Sequence, residues 1–135
     1  MEDPDTIGGN FRLLFDGGSD FAEWLTGFYA SLRARGLYYG DSAMFIRRRV
    51  LNEIGGIPAI ALMEDFELNR RMEKKGRTVC IDHPPAITSS RRFENRHPWA
   101  IFCQWVWIHA MYYARLSPEW LASSYRSHLH QPKTR

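Results

Sequence analysis

The sequence predicts an α/β domain that is incomplete. Three observations carry the prediction. Short apolar runs bounded by glycine or proline alternate with segments of helical period. The strands are too few and too unevenly spaced for a self-contained doubly wound sheet. The length, 135 residues with 44% hydrophobic and 24% charged side chains, makes one ordinary globular unit.

The elements follow in order. Phe11 to Phe15 is a short apolar strand between Gly8-Gly9-Asn10 and Asp16-Gly17-Gly18. Ser19 or Asp20 caps a helix from Phe21 to Arg35, whose apolar positions 21, 25, 28, 29 and 32 share one face; Gly36 ends it. Leu37 to Ile46 reads as a strand interrupted at Gly40-Asp41. Arg48 to Ile54 is a short helix closed by Gly55-Gly56, and Pro58 stops any continuation. Glu64 to Lys75 is a helix ending at Gly76. Two strands follow, Arg77 to Asp82 and Ala86 to Ser90, separated by Pro84-Pro85. Pro98 to Leu116 is an apolar helix. Ser117 caps a last short helix to about Arg126, with Pro118 at its first position. Residues 1–126 thus form the folded part, and 127–135 a disordered polar tail.

Composition narrows the function. The net charge is +3 with acids mixed throughout, which describes a solvated surface with at most a mild preference for phosphate or an anionic membrane. No zinc-finger spacing, RNA-binding aromatic motif or basic stripe points to nucleic acid. Cys80 and Cys103 lie in apolar surroundings and read as buried thiols of a reducing compartment. The acidic start Met1-Glu2-Asp3-Pro4-Asp5 is no secretory signal, so the expected place is the cytoplasm. The five histidines show no metal-ligand spacing.

The chemistry centres on Glu64-Asp65. A helix start favours negative charge, so Asp65 can simply cap the helix while Glu64 and Glu67 complement its dipole. The same geometry suits catalysis. A carboxylate fixed there can take a proton from an incoming hydroxyl, a general-base effect of about 10²–10⁴-fold. Neighbours on a helix point about 100° apart, so only one of the pair is the base. The other binds acceptor or caps the helix.

The order of motifs carries a resemblance. Tyr39-Gly40-Asp41-Ser42-Ala43-Met44-Phe45-Ile46-Arg47-Arg48 is followed by Ile54-Gly55-Gly56-Ile57, then by Met63-Glu64-Asp65-Phe66-Glu67-Leu68. This order resembles the acceptor-side half of family 2 glycosyltransferases. Gly8-Gly9-Asn10-Phe11-Arg12-Leu13-Leu14-Phe15-Asp16 and Thr88-Ser89-Ser90-Arg91-Arg92-Phe93-Glu94 are similar to a bacterial subgroup, in which the last motif often ends in Trp where Phe93 stands. Together these cover roughly residues 8–126. The resemblance implies a partial GT-A fold with C-terminal helices, lacking the N-terminal nucleotide-binding half. It implies inverting transfer of a sugar from a nucleotide-sugar donor to an acceptor hydroxyl, with Asp65 as the base and Glu64 as its partner.

The same resemblance implies a first strand for the nucleobase and an Asp-x-Asp motif holding a divalent metal, Mg or Mn, on the diphosphate. Neither is found here. Asp3-Pro4-Asp5 sits at a terminus with no apolar strand before it, and Asp16 and Asp20 flank a Gly-Gly turn. No metal ligands are assigned in this chain. The expectation is the C-terminal portion of a longer enzyme, weakly active or inactive alone. A natural truncation, a split gene and a mis-assigned start remain equal alternatives.

Other residues carry two readings each. Asp41 is a turn or bulge residue, or an acceptor of hydrogen bonds from sugar hydroxyls. Arg91 and Arg92 are solvated, or clamp the donor diphosphate as planar guanidinium groups do. Arg47-Arg48-Arg49 reads as solvated. The run from Trp99 to Tyr113 holds three of the five tryptophans and is apolar nearly all round. A span needs roughly 20 apolar residues, and Gln104 and His109 interrupt this shorter one. It is either buried on the sheet or interfacial, with its Trp and Tyr at the headgroups of the inner membrane face. An uncovered sheet edge and this helix also predict self-association. The competing class is a non-catalytic interaction or membrane-surface module on the same scaffold.

Overall fold

The structure is a computed structural model and describes residues 3–90, 93, 97–117 and 119. Strand β1 (Thr6–Phe15) lies at the centre of a three-stranded sheet ordered β2-β1-β3. Strand β2 (Phe45–Ile46) pairs with it antiparallel, placing Gly8 opposite Ile46. Strand β3 (Arg77–Thr88) pairs with it in parallel, from Thr6 opposite Arg77 to Phe15 opposite Thr88. Strand β1 begins five residues before its apolar run because Gly8 and Gly9 belong to the ladder. A side chain at Gly8 would meet Phe45 O and, at 2.8 Å, the Met72 methyl; one at Gly9 would run into Val79 O. The two glycines let strands and the helix that carries Met72 approach closely.

Helix α1 (Asp20–Arg33) starts as expected. Ser19 Oγ accepts from the Ala22 N–H at 3.2 Å, and Asp20 and Glu23 occupy the first turn. It buries Ala22 and Leu25 and packs on β1. Helix α2 (Arg48–Glu53) ends on Gly55 and Gly56, both left-handed. Helix α3 (Glu64–Lys75) has Glu64, Asp65 and Glu67 in its first turn and Lys74 and Lys75 in its last, matching the dipole at both ends. It buries Phe66, Asn69 and Met72, and Asn69 Nδ2 donates to Gly36 O at 3.1 Å. Helix α4 (Pro98–Tyr113) has proline in its first turn. Met63, Phe66 and Ile108 form a core joined by Leu37, Tyr39, Leu62 and Tyr112, so α4 is fixed to α3 and the loop after α1.

Several expectations change. The segment from Leu37 to Ile46 is not a strand: Gly40–Ser42 is a 3-10 turn, and only Phe45–Ile46 pairs. The Gly40 N–H bonds to a side chain instead of a ladder, and Ala43 turns left-handed at φ 51°. The two strands around Pro84-Pro85 are one strand, with a register shift opposite Phe11/Leu13 and a cis His83–Pro84 bond. Both Cys80 and Cys103 are exposed, not buried. Helix α4 stops at Tyr113 because Arg115 takes φ 63°. It does not lie buried on the sheet: Ile101 and Ile108 are covered, while Trp99, Val106, Trp107 and Tyr113 are exposed. Arg47 is not a solvated cation. Its Nε donates to Thr6 O at 2.7 Å and its Nη2 to Asp3 O at 3.0 Å. The last short helix and the tail 127–135 lie outside the described residues, Glu119 apart. Among the described residues, no helix is long and apolar enough to cross a membrane.

Candidate functional site

The first residue of α3 is preceded by a strained one. Met63, the N-cap, holds φ 69° and ψ 21° while nearly buried. A non-glycine residue there costs on the order of 1–2 kcal/mol, and such outliers cluster at sites that need a fixed geometry. Here the turn presents Glu64 and Asp65 to a cavity of about 500 Å³.

Asp65 does not cap the helix in the ordinary way. Its Oδ1 accepts from the N–H of Phe66 at 2.7 Å, and its Oδ2 from the N–H of Gly40 at 2.8 Å. Both oxygens are held by backbone, one from its own helix and one from the 3-10 turn. Each keeps capacity for another donor. Glu64 is exposed at the same cavity, and its side chain makes no hydrogen bond or ion pair within the described residues. Asp41, in the 3-10 turn, lines it as well. Three of the five predicted site residues therefore converge. Arg91 and Arg92 lie outside the described residues. Phe93, from the same motif, packs its ring against Phe21 and Trp105, with centroids at 5.2 Å and 6.0 Å.

The rest of the cavity lining is largely apolar, including Phe28 and Leu32 of α1 and Phe102, Trp105 and Val106 of α4. Tyr39 joins the two kinds of lining. Its ring stacks on Phe66, and its hydroxyl meets His109 Nε2 at 2.9 Å. Burial, with the Asp65 carboxylate beside it, pushes the Tyr39 phenol up to about 12. Nothing in the sequence assigns Tyr39, His109 and Tyr113 to the site, yet all three line the cavity. One signal is available for His109: a polar ring in an otherwise apolar helix needs a partner.

The other acidic residues have structural duties. Asp3 accepts from Asp5 N–H, Thr6 Oγ1 and Arg77 Nη1, and those contacts hold its carboxyl below the ordinary range. Asp16 Oδ1 accepts from Ser90 N–H at 2.6 Å, tying the ends of β1 and β3. Among the described residues, no three His, Cys, Asp or Glu side chains gather to hold a metal ion. The described residues offer no ligand set that fits the divalent ion the resemblance implies.

A carboxylate pair at a helix start, lining a largely apolar cavity, has the shape and polarity of a site for a hydroxyl-bearing molecule. Residues 17–120 match the family described as "Glycosyl transferase family 21". No curated protein and no solved structure matches the chain. The motifs resemble family 2, so the kind of enzyme agrees and the family number differs. By this match over most of its length, the chain belongs to glycosyl transferase family 21.

Proposed function

We propose that the chain is the acceptor-side part of an inverting GT-A glycosyltransferase. The observation that carries the reading is that Glu64 and Asp65 line a cavity of about 500 Å³ whose remaining lining is largely aromatic and aliphatic. The motif order shared with family 2 supports the same assignment of roles. An acceptor with a hydroxyl at the carboxylates and an apolar body fits this space.

Asp65 is the general base. Its carboxylate takes the proton of the acceptor hydroxyl as that oxygen attacks the anomeric carbon of the donor sugar. The bond from that carbon to the diphosphate breaks, the nucleoside diphosphate leaves with the electron pair, and the configuration inverts. Glu64 and Asp41 accept hydrogen bonds from acceptor or sugar hydroxyls. Arg91 and Arg92 hold the donor diphosphate. In this reading the nucleobase of the donor and the Mg or Mn on its diphosphate are held by elements outside these 135 residues, and Arg91 and Arg92 add to the hold on the diphosphate. Alone, the chain turns over little. Titration of the chain with octyl glucoside below its micelle concentration, followed by amide NMR, tests the acceptor site. Saturable shifts at Gly40, Asp65, Phe66 and Tyr113 are expected; their absence overturns the reading.

A second reading has its own observation. Trp24, Trp99, Trp107 and Tyr113 are 39%, 48%, 42% and 61% exposed. Such a face suits the headgroup region of the inner membrane leaflet, or a second copy of the chain, with no catalysis by this chain.

A further inference from the structure

We propose that His109, acting through Tyr39, is a positioning residue that holds the Asp65 carboxylate in place. The inference rests on the reading of Asp65 as the base.

The histidine tautomer sets the direction of the bonds. His109 Nδ1 lies 2.8 Å from Trp105 O, one helical turn earlier. A backbone carbonyl only accepts, so Nδ1 carries the proton. In the neutral ring Nε2 is then an acceptor. Tyr39 O–H, 2.9 Å away, is therefore the donor to it. The phenol keeps its proton throughout the physiological range. The two bonds are thus consistent in direction, and each fixes the other's ring.

The next residue carries the consequence. Tyr39 is followed by Gly40, whose N–H donates to Asp65 Oδ2. The Tyr39 ring lies nearly parallel to Phe66, at 18° and 6.1 Å, and Phe66 N–H donates to Asp65 Oδ1. The His109 ring stands edge-on to both, at 5.6 Å from Tyr39 and 5.4 Å from Phe66. Both donors to Asp65 therefore come from residues whose positions His109 constrains. A short 3-10 turn has few bonds of its own to fix it. Without His109 as acceptor, the Tyr39 hydroxyl is a half-buried donor lacking its partner, and the turn shifts to satisfy it.

The test uses the chain as it stands and needs no activity. Long-range ¹H–¹⁵N correlation is expected to show His109 protonated at Nδ1. Tyr39→Phe keeps the stack on Phe66 and removes only the hydroxyl. Amide exchange at Gly40 is then expected to quicken by roughly 3- to 10-fold, the loss of one modest hydrogen bond. The Gly40 amide proton should move upfield as its bond to the carboxylate lengthens. His109→Ala should do the same. Tyr112→Phe, which removes the 3.2 Å bond from Tyr112 to Glu67 on the same two helices, should leave Gly40 unchanged. An Nε2-protonated His109, or a Gly40 amide indifferent to Tyr39→Phe, overturns the proposal. Failure of the octyl glucoside titration with these signatures intact would instead sink the acceptor reading alone.

Discussion

Gly40 N–H donates to Asp65 Oδ2 at 2.8 Å across 25 residues of chain. That bond joins the 3-10 turn to the start of α3 and sets which way the carboxylate faces. It also explains a change of backbone. A donor spent on a side chain cannot serve a strand ladder; the segment from Leu37 to Met44 lies outside the sheet, and its Leu37, Tyr39 and Asp41 line the cavity.

The glycines give the first prediction. Gly27 lies inside α1, and a methyl group added to it would have nothing within 4 Å. Gly27→Ala should stabilise the chain by about 0.5–1 kcal/mol, the helix preference for alanine. Gly9→Ala should do the opposite, because its methyl would meet the Val79 backbone rather than a side chain that can yield. Urea midpoints of the two variants, compared with the parent, should move in opposite directions.

How much is legible in the sequence follows from where each signal lies. Helix α3 is legible to the residue because its caps and charges are local: Glu64 opens it and Gly76 closes it. The same local logic finds Ser19 and the carboxylate pair. The 3-10 turn is not legible, since Gly40 bonds to a residue 25 positions away. Nor is the continuity of β3 through Pro84-Pro85, which depends on pairing with β1. Cys80 and Cys103 mislead because apolar neighbours in sequence do not fix which face a residue takes. The cavity's second half, from Tyr39 to His109, requires tertiary contacts.

Alkaline pH supplies the second prediction. Tyr39 titrates near 12 when folded, chiefly through burial and then through Asp65, against about 10 when unfolded. The folded state therefore prefers the protonated phenol. Its contribution is complete below pH 10 and is lost as pH rises towards 12. Tyr38 and Tyr112 are raised in the same direction, again mainly by burial. At about 1.4 kcal/mol per pH unit the ceiling for Tyr39 is about 2.7 kcal/mol, and partial exposure reduces it to about 1–2 kcal/mol. Stability measured by urea between about pH 9 and 12 should fall, and less steeply in Tyr39→Phe. Parallel curves would show that Tyr39 adds nothing to the slope.

The exposed aromatic face leads to the third. Trp24 lies 4.8 Å from Trp99, centroid to centroid, and both are open to solvent. Sedimentation at micromolar concentration should show dimers or larger species. Vesicles containing phosphatidylglycerol should shift tryptophan emission to the blue and dissociate those species. A clean monomer that ignores the vesicles would leave this face without either role.

The carboxylate pair decides the proposed chemistry. On the proposed reading, the assay combines the chain with a donor-binding half, with a nucleotide sugar as substrate. Asp65→Asn removes the proposed base, and turnover should then fall by about 10²–10⁴-fold. Donor binding should barely change, because the cavity faces the acceptor. Stability carries a separate signature. Asp65 takes two backbone N–H bonds, whereas the amide of asparagine accepts on one atom only. One N–H is left opposite an amide nitrogen, at a cost of about 0.5–1.5 kcal/mol, since water reaches the Gly40 side of the site. Glu64→Gln touches no such bond and should leave stability within about 0.5 kcal/mol. Its turnover should fall far less if, as proposed, Glu64 only binds the acceptor. Full turnover in a destabilised Asp65→Asn enzyme would mean that Asp65 merely fastens the turn to the helix. Loss in Glu64→Gln alone would pass the role of base to Glu64, the carboxylate of the pair that is free to reach the acceptor.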